Sequence, residues 1–226
     1  MSWRPCSTER RRFAAFVVSV TAFVGCAASG STADTTTVAP TAPSTFPPLP
    51  TTTVPATPRV LILGDFLTRD AEGLGLADSI GAIGWEPVVD TAEDRTIAQG
   101  ADSIDLLAGS GALPALTLIS LGANDACGGS GPIDVDADVA RIASHADAEH
   151  VIVWVNLQMR DCMARARAIN ESIVRAAFTN PDFRVADWAT DAPSNLLEGD
   201  GIHYKRSGSE FRIDYYVSLI RMHGSR

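Results

Sequence analysis

The residues of this 226-residue chain that could do chemistry are few and scattered. Asp200-Gly201-Ile202-His203 places a carboxylate three residues ahead of an imidazole, the residue types of general acid–base catalysis. Gly122-Ala123-Asn124-Asp125 offers a side-chain amide and a carboxylate behind a glycine, and Gly64-Asp65-Phe66-Leu67 is a third short segment of this kind. Taken singly each is weak. Asn and Asp serve turns well, and an Asp-x-x-His fits a surface loop. Their weight comes from where the chain places them.

The positioning elements are legible as alternating runs. Val60-Leu61-Ile62-Leu63, Pro87-Val88-Val89, Leu116-Thr117-Leu118-Ile119-Ser120-Leu121, Val151-Ile152-Val153-Trp154-Val155 and Phe183-Arg184-Val185-Ala186-Asp187 read as five strands. Between and after them, helical spacing runs over Leu67 to Ile83 (weakened by glycines), Thr96 to Ala108, Val135 to Ala146 with Asp134 as N-cap, Cys162 to Phe178, and Ser207 to Met222. Apolar runs of this length separated by helices imply parallel strands buried on both faces. The expected fold is α/β: a three-layer α/β/α sandwich on a flavodoxin-like five-stranded parallel sheet. In such sheets ligands bind beyond the carboxyl ends of the strands, which is where the Gly64 and Gly122 segments, Asn156 to Asp161 and the segment after Asp187 fall.

In this order and at these strand ends, the three segments resemble the sequence blocks of the SGNH (GDSL-type) hydrolases, over about 165 residues. Val153-Trp154-Val155-Asn156 and Val185-Ala186-Asp187-Trp188 are further similar to actinobacterial members. The resemblance implies acyl transfer from an ester or amide. In that family a serine in the first block attacks the carbonyl, a histidine takes its proton, and an aspartate three residues earlier orients the histidine. By this resemblance His203 is the base, Asp200 the orienting acid and Asn124 an oxyanion donor, with Gly122 a retained block position.

Two positions depart from the pattern. Phe66 stands where the family keeps its serine, and a phenyl ring cannot attack a carbonyl. Relatives often read Gly-Arg-Ser/Thr after the second strand, where this chain reads Glu93-Asp94-Arg95-Thr96. On that alignment Asp94 replaces an oxyanion glycine, and a carboxylate there would oppose developing negative charge. Gly100 is the alternative donor a few residues on. Thr68, two helical residues past Phe66, should point its hydroxyl elsewhere. Three readings stay open: a non-hydrolytic relative that binds an acylated or glycan-like ligand, an esterase or acyltransferase working by an altered mechanism in which His203 activates water, and a structural envelope domain whose pocket Phe66 fills. Burial of Phe66 against His203 discriminates the last.

The N-terminal 26 residues read as a leader. Arg10-Arg11-Arg12 precede an apolar stretch from Phe13 to Val24, shorter than the ~20 residues a membrane span needs. Val24-Gly25-Cys26-Ala27 resembles a bacterial lipoprotein signal with Cys26 as the lipidated residue, although Phe23 stands where Leu is usual. The arginines also resemble a twin-arginine export signal. Residues 27–58 are a linker: from Ser31 to Pro58, Thr and Pro supply 17 of 28 residues, too little apolar area to form a core. The hydrolase-like domain is 59–226. The expected location is the outer face of the cell membrane, held by a lipid anchor, with secretion as the alternative. Net charge is −9, and removing the +3 of the first 25 residues leaves −12, which repels phosphate backbones, so no nucleic-acid partner is expected. A small-molecule or glycan ester is the ligand class, and a monomer is expected.

In an oxidising compartment Cys127 and Cys162 are expected to form a disulfide. No metal or cofactor is expected. Asp134-Val135-Asp136-Ala137-Asp138 lacks the glycine and glutamate of a calcium loop and instead suits a helix N-terminus. Gly128-Gly129-Ser130-Gly131 lacks the lysine of a phosphate loop. Trp154 and Trp188 are expected in the core. His145, His150 and His223 are read as surface or edge residues without partners, and Arg165, Arg167 and Arg175 as a solvated helix face.

Overall fold

Runs of consecutive Val, Leu and Ile have no polar face, so their strands must be covered on both sides. In the computed structural model, which describes residues 56–129 and 133–224, five such segments form one sheet. They are β1 (Arg59–Gly64), β2 (Glu86–Thr91), β3 (Leu116–Ser120), β4 (Val151–Val155) and β5 (Phe183–Ala186). All pairings are parallel and the order is β2-β1-β3-β4-β5, as expected for a flavodoxin-like sheet. The three central strands are buried, and each enclosed Leu, Ile or Val contributes roughly 1.5–3 kcal/mol. The edge strands β2 and β5 are only half-buried, because each lacks a neighbour on one side. The leader, Cys26, linker residues up to 55, and Ser130 and Gly131 lie outside the described residues. Among the described residues no helix is long and apolar enough to cross a membrane.

Helices cover both faces. One layer holds α1 (Phe66–Glu72), α2 (Leu76–Gly81) and the C-terminal α8 (Arg206–His223). The other holds α3 (Ile97–Gly109), α5 (Asp136–Ala143) and α6 (Met163–Thr179), with the short α4 (Ala123–Cys127) against α6. A final short helix, α7 (Trp188–Asp191), follows β5. The three-layer α/β/α sandwich is therefore present.

Four details differ from the sequence expectation. The helix expected from Leu67 to Ile83 is two helices, because Gly73 ends the first and Gly75, at φ +98°, opens the second. Asp134 does not cap α5; Val135 holds that position, and Asp136 and Asp138 occupy the first turn, where carboxylates complement the helix dipole. The three histidines do have partners: Asp105 for His145 at 2.6 Å, Asp147 for His150 at 3.1 Å and Arg184 for His223 at 2.9 Å. Arg165 is half-buried and donates to the carbonyls of Asp125 and Ala126, whereas Arg167 and Arg175 are exposed as expected, Arg175 paired with Asp136. Trp154 and Trp188 are both fully buried, as expected.

Candidate active site

The chain reverses its strand order between β1 and β3, and the loops leaving those strands meet there. The Asp65 N–H donates to the Ser120 carbonyl at 3.3 Å, tying the end of β1 to the end of β3. Asp65 then caps α1, its Oδ1 accepting from the Leu67 N–H at 3.1 Å. The carboxylate is 1% exposed. Burial pushes its pKa up to about 6, against the opposing pull of Arg212.

Arg212 lies beneath this turn, fully buried on α8. Its Nε donates to the Tyr216 hydroxyl at 3.1 Å, its Nη2 donates to the Ser120 hydroxyl, and its guanidinium stacks 4.8 Å from the Trp188 ring centre. The Tyr216 hydroxyl also meets Thr68 Oγ1 at 3.1 Å. Thr68 is thus enclosed in a buried polar network and faces away from the cleft, which excludes it as a replacement nucleophile.

Phe66 is the first residue of α1. It is half-buried, with its ring 5.0 Å from that of His203 at an angle of 50°. The position on α1 beside the imidazole therefore holds carbon. His203 itself is exposed, so Phe66 leans on the imidazole without sealing it.

Asp200 and His203 form the pair expected of them. His203 Nδ1 lies 2.7 Å from Asp200 Oδ2, while Asp200 Oδ1 accepts the N–H groups of Ile202 at 2.9 Å and His203 at 3.0 Å. These backbone donors, first that of Ile202, and then the imidazole hold the Asp200 carboxyl down at about 2. An ionised carboxylate only accepts, so Nδ1 carries the proton and Nε2 is left as the basic nitrogen.

The Asn124 side is built differently. Gly122 sits at φ +117°, where a side chain would also crowd Leu157 and Ile169, and this turn launches α4. Asn124 Nδ2 donates to the carbonyls of Glu93 at 2.9 Å and Arg95 at 3.1 Å. Both amide hydrogens are therefore engaged by the β2–α3 loop rather than directed at a ligand. That loop is pinned elsewhere too: Glu93 pairs with Arg69 at 2.8 Å, Arg95 with Asp90 at 2.6 Å, and Asp125 accepts the Ile97 N–H at 3.0 Å. Asp94 and Asn124 line one open cleft of about 470 Å³, with Thr96, Asp125 and Arg165 on its walls. Gly100 is no substitute donor. Its N–H bonds the Thr96 carbonyl inside α3, and it is packed beneath Leu121.

Cys127 and Cys162 form a disulfide, joining α4 to the start of α6. Among the described residues no group of three or more His, Cys, Asp or Glu side chains could hold a metal ion. Three residues escaped the sequence reading. Arg212 had a signal: it interrupts the buried stripe Ser209, Ile213, Tyr216, Leu219, Ile220 at helical spacing. Arg160, which holds the Asp200 turn, lies in the Asn156 to Asp161 strand end, although its contacts depend on loop geometry, and Asp70, whose electrostatics couple it to both His203 and Glu93, had no signal.

No protein-family model matches the chain, and no curated protein matches it. Solved structures do. The C-terminal catalytic domain of Streptococcus pneumoniae peptidoglycan O-acetyltransferase A superposes with a TM-score of 0.61 at 16% identity, over 75% of this chain and 95% of that one. A GDSL-like lipase from Bacteroides thetaiotaomicron gives 0.59 at 17%, over 75% and 91%. A lipase/acylhydrolase from Enterococcus faecalis gives 0.57 at 16%, over 72% and 95%. At these identities the likeness is one of fold: this chain has the fold of the SGNH (GDSL-type) acyl hydrolases.

Proposed function

We propose that this domain, built on the SGNH hydrolase fold, binds an acylated or glycan-like ester ligand at the bacterial cell envelope without turning it over through an acyl-enzyme. One observation carries the reading: the Phe66 ring occupies the position next to His203 from which a nucleophile would attack. The engagement of Asn124 by two backbone carbonyls supports it, since an oxyanion would have to compete for the same two hydrogens. The cleft shared by Asn124 and Asp94 remains open and supplies the binding volume. The leader, with Cys26 as the lipidated residue and the Thr/Pro-rich stretch as a stalk, supports an envelope location.

A second reading is favoured by the formed Asp200–His203 pair: the imidazole activates water and hydrolyses esters slowly. Ester hydrolysis by the native chain, Phe66→Ser and His203→Ala separates the two. The binding reading expects no His203-dependent turnover in the native chain. Native turnover that disappears in His203→Ala would overturn it. Phe66→Ser should gain a burst of acyl-enzyme, yet stay below an intact site by the ~10²–10³-fold that one missing oxyanion donor costs.

A further inference from the structure

The Asp200–His203 pair is exposed and sits on an irregular loop, yet its geometry is well defined, so something outside the pair must hold that loop. On its far side the loop is closed by the Lys205 N–H on the Leu196 carbonyl at 2.8 Å and by the buried Tyr204, and within it Gly201 N–H bonds the Glu198 carbonyl at 3.1 Å and Glu198 N–H the His203 carbonyl at 2.8 Å. The fixed points around Asp200 itself come from the segment after β4. The Arg160 N–H donates to the Gly201 carbonyl at 2.8 Å, and the Asp161 N–H approaches the same oxygen at 3.4 Å. The Arg160 guanidinium then reaches the carbonyls of Glu198 at 2.6 Å and Gly199 at 3.3 Å. Arg160 therefore contacts residues on both sides of Asp200 and leaves its carboxylate free for His203. Gly201 permits this closeness: it sits at φ +73°, and a Cβ there would lie 2.7 Å from the Arg160 Cβ. Two residues on, Cys162 is bonded to Cys127 at the end of the helix that carries Asn124.

We infer that Arg160 is a positioning residue for the Asp200–His203 pair, and that with the adjacent Cys127–Cys162 disulfide it straps the loop that carries this pair to the helix that carries Asn124. The strap acts through the orientation of Asp200. When it is lost, the carboxylate no longer faces Nδ1 in most molecules, and the neutral imidazole reverts toward its Nε2–H tautomer. The inference does not require that any ligand be turned over.

The test is the tautomer of the neutral His203 ring, read from its ¹⁵N shifts in the full-length chain, together with hydrogen exchange of the Ile202 and His203 amides that bond Asp200. In the native chain the Nδ1–H form should dominate. Arg160→Ala should move the tautomer ratio at least about threefold toward Nε2–H and speed both amides about tenfold, with Arg160→Lys in between, because an ammonium can replace the one nitrogen, Nη2, that donates to both carbonyls but not its placement by a planar, rigid guanidinium. The His145 and His150 rings, each paired with its own aspartate elsewhere, should not change. A folded Arg160→Ala with native ratio and exchange overturns the inference, and so does an equal change at all three rings, which would mean general loosening. If Arg160→Ala does not fold, Gly201→Ala, which forces the loop away from Arg160, should give the same shift. A native ratio in that variant is equally fatal.

Discussion

Two aspartates flank the candidate site, and their surroundings drive them in opposite directions. Asp65, enclosed behind Phe66, is raised to about 6 because burial outweighs the attraction of Arg212. Asp200, in the open, is lowered to about 2 by two backbone N–H donors and the His203 ring. Both accept backbone hydrogen bonds at a turn. The difference is solvent. On the Asp200 side water stabilises the ionised carboxylate, and the acid–base geometry persists as a surface feature. On the Asp65 side the turn belongs to the core, with Arg212, Ser120, Tyr216 and Thr68 as its floor, and Phe66 extends that packing up to the imidazole. One half of the site is organised by hydrogen bonds in water and the other by burial.

That contrast predicts very unequal sensitivities. The largest effect belongs to Arg212. Arg212→Ala removes the cation facing a buried carboxylate and takes away the guanidinium donors to the hydroxyls of Ser120 and Tyr216, a loss of about 3–5 kcal/mol in urea unfolding at pH 7. Replacing both charges, as Asp65→Asn with Arg212→Met, should recover much of it, because an apolar filling avoids the cost of burying ions. A loss under about 1 kcal/mol for Arg212→Ala would mean the floor is not a coupled unit.

Next comes the pH dependence of the floor, where the sign separates the two aspartates. Asp65 has a folded pKa of about 6 against the ordinary 3.8, so between those values the folded chain holds the proton more tightly than the unfolded one. Its contribution is therefore most favourable below pH 3.8 and declines as pH rises through 6, by roughly 3 kcal/mol for a shift of about two units. Asp200 runs the other way: its contribution is present above pH 3.8 and lost as pH falls toward 2. The measurement is the stability difference between the native chain and Asp65→Asn from pH 4 to 7, which cancels the other carboxylates. It should move against the native chain as pH rises, and a flat difference would show that Asp65 is not held in the way its burial implies.

How far this contrast could be read from the sequence follows the same division. The strands were legible because an unbroken run such as Val60 to Leu63 can only be buried on both faces, and their order placed the site at the β1–β3 crossing. Phe66 was legible as a departure, but its contact with His203 joins residues 137 positions apart through a loop that no periodicity describes. Asn124 was legible as a side-chain amide at a strand end, while its actual partners, the carbonyls of Glu93 and Arg95, could not be foreseen, because any residue presents the same carbonyl. The broken helix after Phe66 was a matter of degree: its glycines were visible as weak points, and the φ of Gly75 made one of them a boundary.

The smallest expected stability effect lies in the open half and gives the most discriminating comparison. Asp200→Asn keeps an oxygen to accept the Ile202 and His203 N–H groups, so the turn retains its backbone bonds. What it removes is the charge, which at a fully exposed position is already screened by water. The urea midpoint at pH 7 should therefore stay close to the native value and fall far less than in Arg212→Ala. The effect should appear instead in the imidazole. The amide of an asparagine can donate to Nδ1, which favours the Nε2–H tautomer and takes away Nε2 as the basic nitrogen. In a Phe66→Ser background with measurable turnover, that change alone should lower the rate by about 10⁴-fold, the scale of the corresponding substitution in a serine–histidine–aspartate triad. A midpoint close to native with a lost rate would show that the exposed half of the site is held for chemistry or recognition, independently of the stability that rests on Arg212. A midpoint that fell as far as it does in Arg212→Ala would erase the distinction between the two halves.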